Sequence, residues 1–215
     1  MEGGNFYNPP IVQYVVKSNM RLTGKNFLYQ GINGKKYTFY HLETCGEGHC
    51  FVHAVLALTV AGYHDSSEDK KKKMAETMRK MVASTVDDDS KYPYIFDEMI
   101  EIEDGDFPRS NKDRLKENIL VQNIATGTPV GFFSHYIERN IVVLTKNFGH
   151  GKQKPDNLSS TLKYKKEWPT IFIYADGEHY EALLFKNVGS KTCREDDNYS
   201  CVMEKGEKNV PYLTK

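Results

Sequence analysis

The sequence is short of cysteine, tryptophan and net charge. Its 215 residues include four Cys and one Trp, and 29 basic residues balance 29 acidic ones. Four cysteines in a chain of this length do not make a disulfide scaffold, which concentrates its bridges in much shorter chains. A formal charge of zero denies the chain the broad basic face that phosphate neutralisation requires, which excludes a general nucleic-acid binder. No apolar run is long enough to cross a bilayer, and the longest, from Phe51 to Gly62, is interrupted by His53. No basic segment followed by an apolar stretch stands near the first residue, so no export signal is expected. The expectation is a cytoplasmic, monomeric protein with reduced thiols and neither a membrane nor a nucleic-acid partner.

What is present is enough for a core. Hydrophobic residues make up 39% of the chain and aromatics 12%, at a length that suits one domain with short extensions. Neither a metal nor a cofactor is expected. Zinc ligands come in closely spaced pairs, whereas four residues separate Cys45 from Cys50 and seven separate Cys193 from Cys201. Gly149-His150-Gly151-Lys152 faintly resembles a phosphate loop, but Gln153 occupies the place of the required Ser or Thr.

Asn33-Gly34 between aromatic-rich stretches predicts a hairpin, with strands over Phe27–Gln30 and Lys36–Leu42. A glycine-bearing loop, Thr44 to His49, then opens into Cys50-Phe51-Val52-His53-Ala54-Val55-Leu56, which predicts a buried helix of about three turns. A second helix follows, capped by Ser66, with Glu68 and Asp69 at its positive end and Met74, Met78, Met81 and Val82 at helical spacing. Lys70 to Lys73 reads as its solvated face. Asp87, Asp88, Asp89, Glu101, Glu103, Asp104 and Asp106 form an acidic middle without calcium-loop spacing. Beyond it, Gly131 to Arg139 reads as a helix, Asn140 to Thr145 and Thr170 to Tyr174 as buried strands, and His179 to Phe185 as a returning strand. Helices early and strands late predict an α+β domain, a small central β-sheet flanked by helices.

Cys50 occupies a position with electrostatic consequences. At the start of a helix, the first backbone N–H groups and the helix dipole favour thiolate over thiol, and thiolate is the nucleophile. Gly46 and Gly48 allow the preceding loop to turn its N–H groups towards a developing oxyanion. A cysteine hydrolase also needs a histidine base and a group that orients it. Of seven histidines, only His179 begins a late apolar strand just after a turn, and Glu181 shares its strand face. His49 is a poor base for Cys50 because adjacent side chains diverge.

Gly46-Glu47-Gly48-His49-Cys50-Phe51 resembles the nucleophile motif of the ovarian-tumour (OTU) family of deubiquitinating cysteine proteases, normally Asp-Gly-Asn-Cys before Leu or Phe. His179-Tyr180-Glu181-Ala182-Leu183 resembles that family's closing motif, and both lie in the expected order over Phe27 to Phe185. Two positions depart from the pattern: Glu47 stands where the family has Asp, and His49 where it has Asn. The resemblance implies a papain-like catalytic domain over residues 27–185, an N-terminal extension over 1–26 and a polar C-terminal extension over 186–215.

It further implies catalytic residues Cys50, His179 and Glu181, with Glu47 stabilising an oxyanion loop of Glu47, Gly48, His49 and Cys50. The implied partner is ubiquitin, polyubiquitin or a ubiquitin-like modifier, cleaved after its C-terminal glycine. Gly177 and Glu178 would border a narrow cleft for the glycines, acidic residues of the middle segment would meet the tail's arginines, and Phe132, Phe133 and Tyr136 would make apolar contacts. Two alternatives stand beside this: an inactive OTU-like module that binds ubiquitin, and a cysteine hydrolase acting on another substrate. The departures from the motif also raise a viral or bacterial effector working in a host cytosol.

Overall fold

The computed structural model describes residues 13–15, 22–30, 36–46, 48–60, 62–88, 112–121, 128–145, 159–160, 165, 167–175, 179–188 and 198–200. Among them are eight strands: β1 (Gln13–Val15), β2 (Leu22–Gln30), β3 (Lys36–Leu42), β4 (Asn140–Thr145), β5 (Ser159–Ser160), β6 (Thr170–Ala175), β7 (Tyr180–Val188) and β8 (Asn198–Ser200). There are four helices: α1 (Cys50–Thr59), α2 (Glu68–Thr85), α3 (Lys112–Val121) and α4 (Thr128–Ile137). The class is α+β. The strands form one mixed sheet, ordered β1-β8-β7-β6-β4-β5, with β3 also on β7 and β2 beyond it. β4 and β6 run parallel, and the other pairings are antiparallel.

The hairpin is present, with Gln30 opposite Lys36, and the turn between them lies outside the described residues. β2 begins at Leu22, earlier than the Asn-Gly signal indicates, because an irregularity between Leu22 and Asn26 lets pairing with β3 continue. The sheet also reaches past residues 27–185: β1 pairs with β8, which touches β7 at Phe185↔Ser200.

β7 is the axis of the sheet, paired with β3 over residues 182–188 and with β6 over residues 180–183. Alternation splits its side chains between two faces. Tyr180, Ala182 and Leu184 join Leu42, Ile141, Val143, Ile171 and Ile173 in the core under the helices. The opposite face holds an aromatic cluster, with the Phe39 ring 5.0 Å from Phe172 and 5.6 Å from Phe185.

Helix α1 crosses the first of these faces with every residue from Cys50 to Leu58 buried, as its Ala, Val and Leu content requires. Its N-cap is His49, which makes no side-chain cap bond. α2 is amphipathic, burying Ala75, Met78 and Val82 while Lys70, Lys72 and Lys73 face solvent. Its N-cap is Ser67, whose side chain accepts from the Lys70 N–H at 3.4 Å. The expected cap, Ser66, instead donates to the Gly62 carbonyl, so the helix starts one residue later. α4 begins at Thr128, ahead of the expected Gly131, with Pro129 in its first turn, where a missing N–H costs nothing.

Candidate active site

The site is built around the start of α1. Cys50 is the first helical residue, a free thiol with 4% of its surface exposed. Its N–H is among the first N–H groups of a helix, which find no partner within it. Before it, Gly48 has φ of 76°, a left-handed conformation that favours glycine. That turn presents the Gly48 carbonyl to Arg79, a residue of α2 that is 1% exposed. The Arg79 guanidinium donates to Gly48 O at 2.9 Å, to Nδ1 of His49 at 2.9 Å and to Ile119 O of α3 at 2.6 Å. One planar cation thus ties the loop to two helices. Burial pushes the guanidinium below its usual range, and the thiolate form of Cys50 pulls it back up. Because His49 accepts through Nδ1 from a group that is always a donor, its ring is neutral with the proton on Nε2.

Beside the loop runs a second polar chain. The Tyr63 hydroxyl meets Nδ1 of His53 at 2.7 Å and also the Cys45 thiol. Burial and the neighbouring Cys45 hold that hydroxyl well above the usual tyrosine range. Cys45, Gly46, His49 and His53 line one wall of a cleft of about 330 Å³, and Glu68, Asp69 and Lys72 from the start of α2 line the other. Among the described residues, the carboxylates that line this cleft belong to α2. Of the acidic middle, Asp87 is paired with Lys116 of α3, and residues 89–106 lie outside the described residues.

The histidine segment docks at the same end of α1. Thr44 Oγ1 donates to the Tyr180 carbonyl at 2.5 Å, and the Tyr180 ring packs edge-on against Phe51 with centroids 5.5 Å apart. Burial and the nearby Cys50 push the Tyr180 hydroxyl up to about 12. His179, one residue before the strand, is half-buried. Among the described contacts no hydrogen bond joins it to Cys50 or to Glu181. Glu181 has another partner: Nδ1 of His41 donates to its Oε2 at 2.5 Å, with both residues buried. Tyr180 faces α1, so alternation sends Glu181 to the opposite face, where β3 holds His41 and the Tyr174 ring lies 4.5 Å from it.

The expected apolar contact residues are corrected by burial. Phe132, Phe133 and Tyr136 are 1%, 0% and 4% exposed, and they belong to the core. Phe133 stacks edge-on beneath Phe51, and the Tyr136 hydroxyl donates to the sulfur of Met81. They support the cysteine helix from below and offer no surface to a substrate. Glu47, Gly177 and Glu178 lie outside the described residues.

Reading the sequence alone missed Arg79, His41 and the His53–Tyr63 pair. Arg79 carries one visible sign, a charged residue inside the apolar stripe Ala75, Met78, Val82.

No family model matches the chain, and no curated protein is detectably similar in sequence. Solved structures that resemble it include OTU domains. An OTU domain in complex with ubiquitin is 21% identical, with 86% of this chain and 89% of that chain covered and a TM-score of 0.44. The viral OTU domain protease from Farallon virus is 15% identical, with 85% and 100% covered and a TM-score of 0.43. That from Dera Ghazi Khan virus is 14% identical, with 74% and 94% covered and a TM-score of 0.40.

Proposed function

We propose that this protein is an OTU-type cysteine hydrolase that cleaves the isopeptide bond after the C-terminal glycine of ubiquitin or a ubiquitin-like modifier. The observation that carries the reading is Cys50 at the first turn of a buried helix, behind a glycine loop anchored on Arg79. The His179 segment is bonded to the same loop through Thr44 and Tyr180, which supports the base assignment. Cys50 is 4% exposed, which favours a slim acyl group, and two glycines, which lack Cβ, are the slimmest a peptide offers. Glu68 and Asp69 line a cleft beside the loop, together with Lys72, and their carboxylates suit a basic tail.

In this mechanism the Cys50 thiolate attacks the glycine carbonyl carbon, and the carbonyl electron pair moves to oxygen. Collapse of that oxyanion breaks the C–N bond, and His179 gives its proton to the departing lysine amine. Water then loses a proton to His179 and attacks the thioester, and the C–S bond breaks to return the thiolate. The balance is amide plus water to carboxylic acid plus amine, with no external oxidant or reductant.

The test is incubation with ubiquitin bearing a C-terminal electrophile, beside Cys50→Ala, read by intact mass. An adduct on the wild type alone is expected. No adduct on the folded wild type overturns ubiquitin-directed catalysis. A second reading, a ubiquitin-binding module without turnover, is favoured by the bond between Glu181 and His41, which engages the expected orienting carboxylate elsewhere. Ubiquitin binding without hydrolysis would select it.

A further inference from the structure

We propose that Arg79 is the positioning residue of the oxyanion hole: by holding the Gly48 carbonyl and the His49 ring, it sets the direction of the His49 N–H beside Cys50. This rests on the cysteine-hydrolase reading, and it concerns a residue that touches no substrate.

Peptide geometry sets the direction of the His49 N–H. The Gly48 carbonyl and the His49 N–H belong to one planar trans unit, and none of the described peptide bonds is cis. Within such a unit the two groups point in opposite directions. The Gly48 oxygen is fixed on the Arg79 guanidinium at 2.9 Å, and the far side of that guanidinium is buried on Ile119 O of α3. The His49 N–H is therefore turned away from Arg79, and it immediately precedes Cys50 at the first turn of α1. The N–H of Cys50, the first helical residue, lies next in sequence and supplies the second donor. Consecutive N–H donors of this kind are what stabilises a tetrahedral oxyanion.

Two further bonds keep this arrangement from rotating. Arg79 also donates to His49 Nδ1, so the side chain and the carbonyl on either side of the peptide are gripped by one rigid plane. The third bond, to Ile119 O of α3, fixes that plane to the fold. The geometry explains the histidine at position 49 by its own chemistry: the ring is an acceptor at the distance Arg79 Nε needs. Lysine at position 79 could supply one of these bonds but not all three, since its ammonium is a point charge without the planar fork.

The experiment uses the full chain and two probes. Acetyl-glycinal forms a reversible hemithioacetal with Cys50 whose oxygen occupies the hole whatever the natural substrate is. A fluorogenic C-terminal amide of ubiquitin reads turnover. Arg79→Lys is expected to weaken acetyl-glycinal binding and to lower kcat on the ubiquitin amide by about 10²-fold, with KM within about threefold, the scale of an angstrom-level misplacement. Rates are normalised to folded protein by circular dichroism, so a loss of fold alone would leave kcat per folded molecule and KM unchanged. Unchanged binding and kcat in folded Arg79→Lys would overturn the inference. His49→Ala, which removes one anchor at a half-buried position, is expected to weaken acetyl-glycinal binding by about threefold to tenfold, and no change there also overturns it. Wild-type protein that binds acetyl-glycinal but leaves ubiquitin amide intact would refute the ubiquitin reading alone, with Arg79 judged on the aldehyde. Wild-type protein that takes neither probe would overturn both.

Discussion

The Cys50 loop is tied to two neighbouring helices by one buried guanidinium, whereas the His179 segment is tied to the sheet and its acidic neighbour Glu181 is bonded to His41. The cysteine arm is thus held by the fold itself, through bonds to backbone carbonyls and to a neutral ring. The histidine arm has its backbone fixed at Tyr180, while its half-buried ring makes no described hydrogen bond to the thiol. The difference teaches that an acyl-transfer site need not be assembled to the same degree on both sides. Apo geometry is often looser than that of the Michaelis complex, and the histidine arm is the one with room to tighten.

The largest expected effects test whether the arms are separable. Cys50→Ala should remove turnover of a ubiquitin amide by about 10⁴-fold or more, and His179→Ala by about 10³-fold. Labelling of Cys50 by an alkylating ubiquitin probe needs no proton for a leaving amine. It should fall less than about tenfold in His179→Ala if the cysteine arm stands alone. A fall as large as that in turnover, measured side by side by mass, would break the distinction.

Next comes the bond that separates Glu181 from His179. His41→Phe removes the donor that Oε2 of buried Glu181 accepts from and should cost about 1–3 kcal/mol in urea unfolding, and Glu181→Gln, whose amide oxygen can still accept from Nδ1–H, should cost less. In a double-mutant cycle the two costs should overlap strongly. Activity per folded molecule should change less than about tenfold in Glu181→Gln. A loss matching that of His179→Ala would return Glu181 to the role of orienter.

The same contrast marks what the sequence reveals. The limits of β3 and β4 and the body of α1 and α2 follow from aromatic alternation, a short apolar run and helical spacing, all local signals. α3 escapes notice because, among its described side chains, the buried hydrophobic core takes Leu115 and Ile119, a single i, i+4 pair. Cys50 and His179 stand out through their places at the start of a helix and just ahead of a strand. Arg79 and His41 do not, because their partners lie 30 and 31 positions away for His49 and Gly48, 40 for Ile119 and 140 for Glu181. Such pairings are decided by how helices and strands pack, which local pattern does not encode. Phe132, Phe133 and Tyr136 mislead for a related reason: Val130 to Ile137 of α4 are all buried, so aromatic composition there reports packing and not a binding surface.

A histidine outside both arms supplies the control. His135 sits on α4 with its ring 4.9 Å from Trp168, and burial, aided by Lys165, lowers its pKa from 6.5 to about 4. The unfolded chain therefore binds a proton more readily than the folded one. The stability this group contributes is complete above pH 6.5 and is lost as pH falls through about 4. The loss is up to about 3 kcal/mol, less what solvent screening removes, and His64, also lowered by burial, adds in the same direction. Urea midpoints from pH 7 to pH 4 should fall for the wild type and fall less for His135→Gln. Alkylation of Cys50 and turnover per folded molecule should respond equally to that substitution. A selective effect on either would show coupling from α4 to one arm.

The smallest effect separates support from contact. Phe132 is 1% exposed in the core that underlies α1, and Phe133 beside it meets the Phe51 ring at 5.4 Å. Exchanging Phe132 for leucine keeps the site apolar but loses volume, for which cores lose about 1–1.5 kcal/mol after partial repacking. Phe132→Leu should therefore lower the unfolding midpoint modestly while leaving KM for a ubiquitin amide within about twofold, since no substrate atom meets the ring. A residue that bound the modifier directly would behave in the opposite way, raising KM with stability nearly unchanged. Because Phe133 of α4 meets Phe51, the residue after Cys50, any small kinetic change should fall on alkylation of Cys50 before it reaches proton transfer by His179.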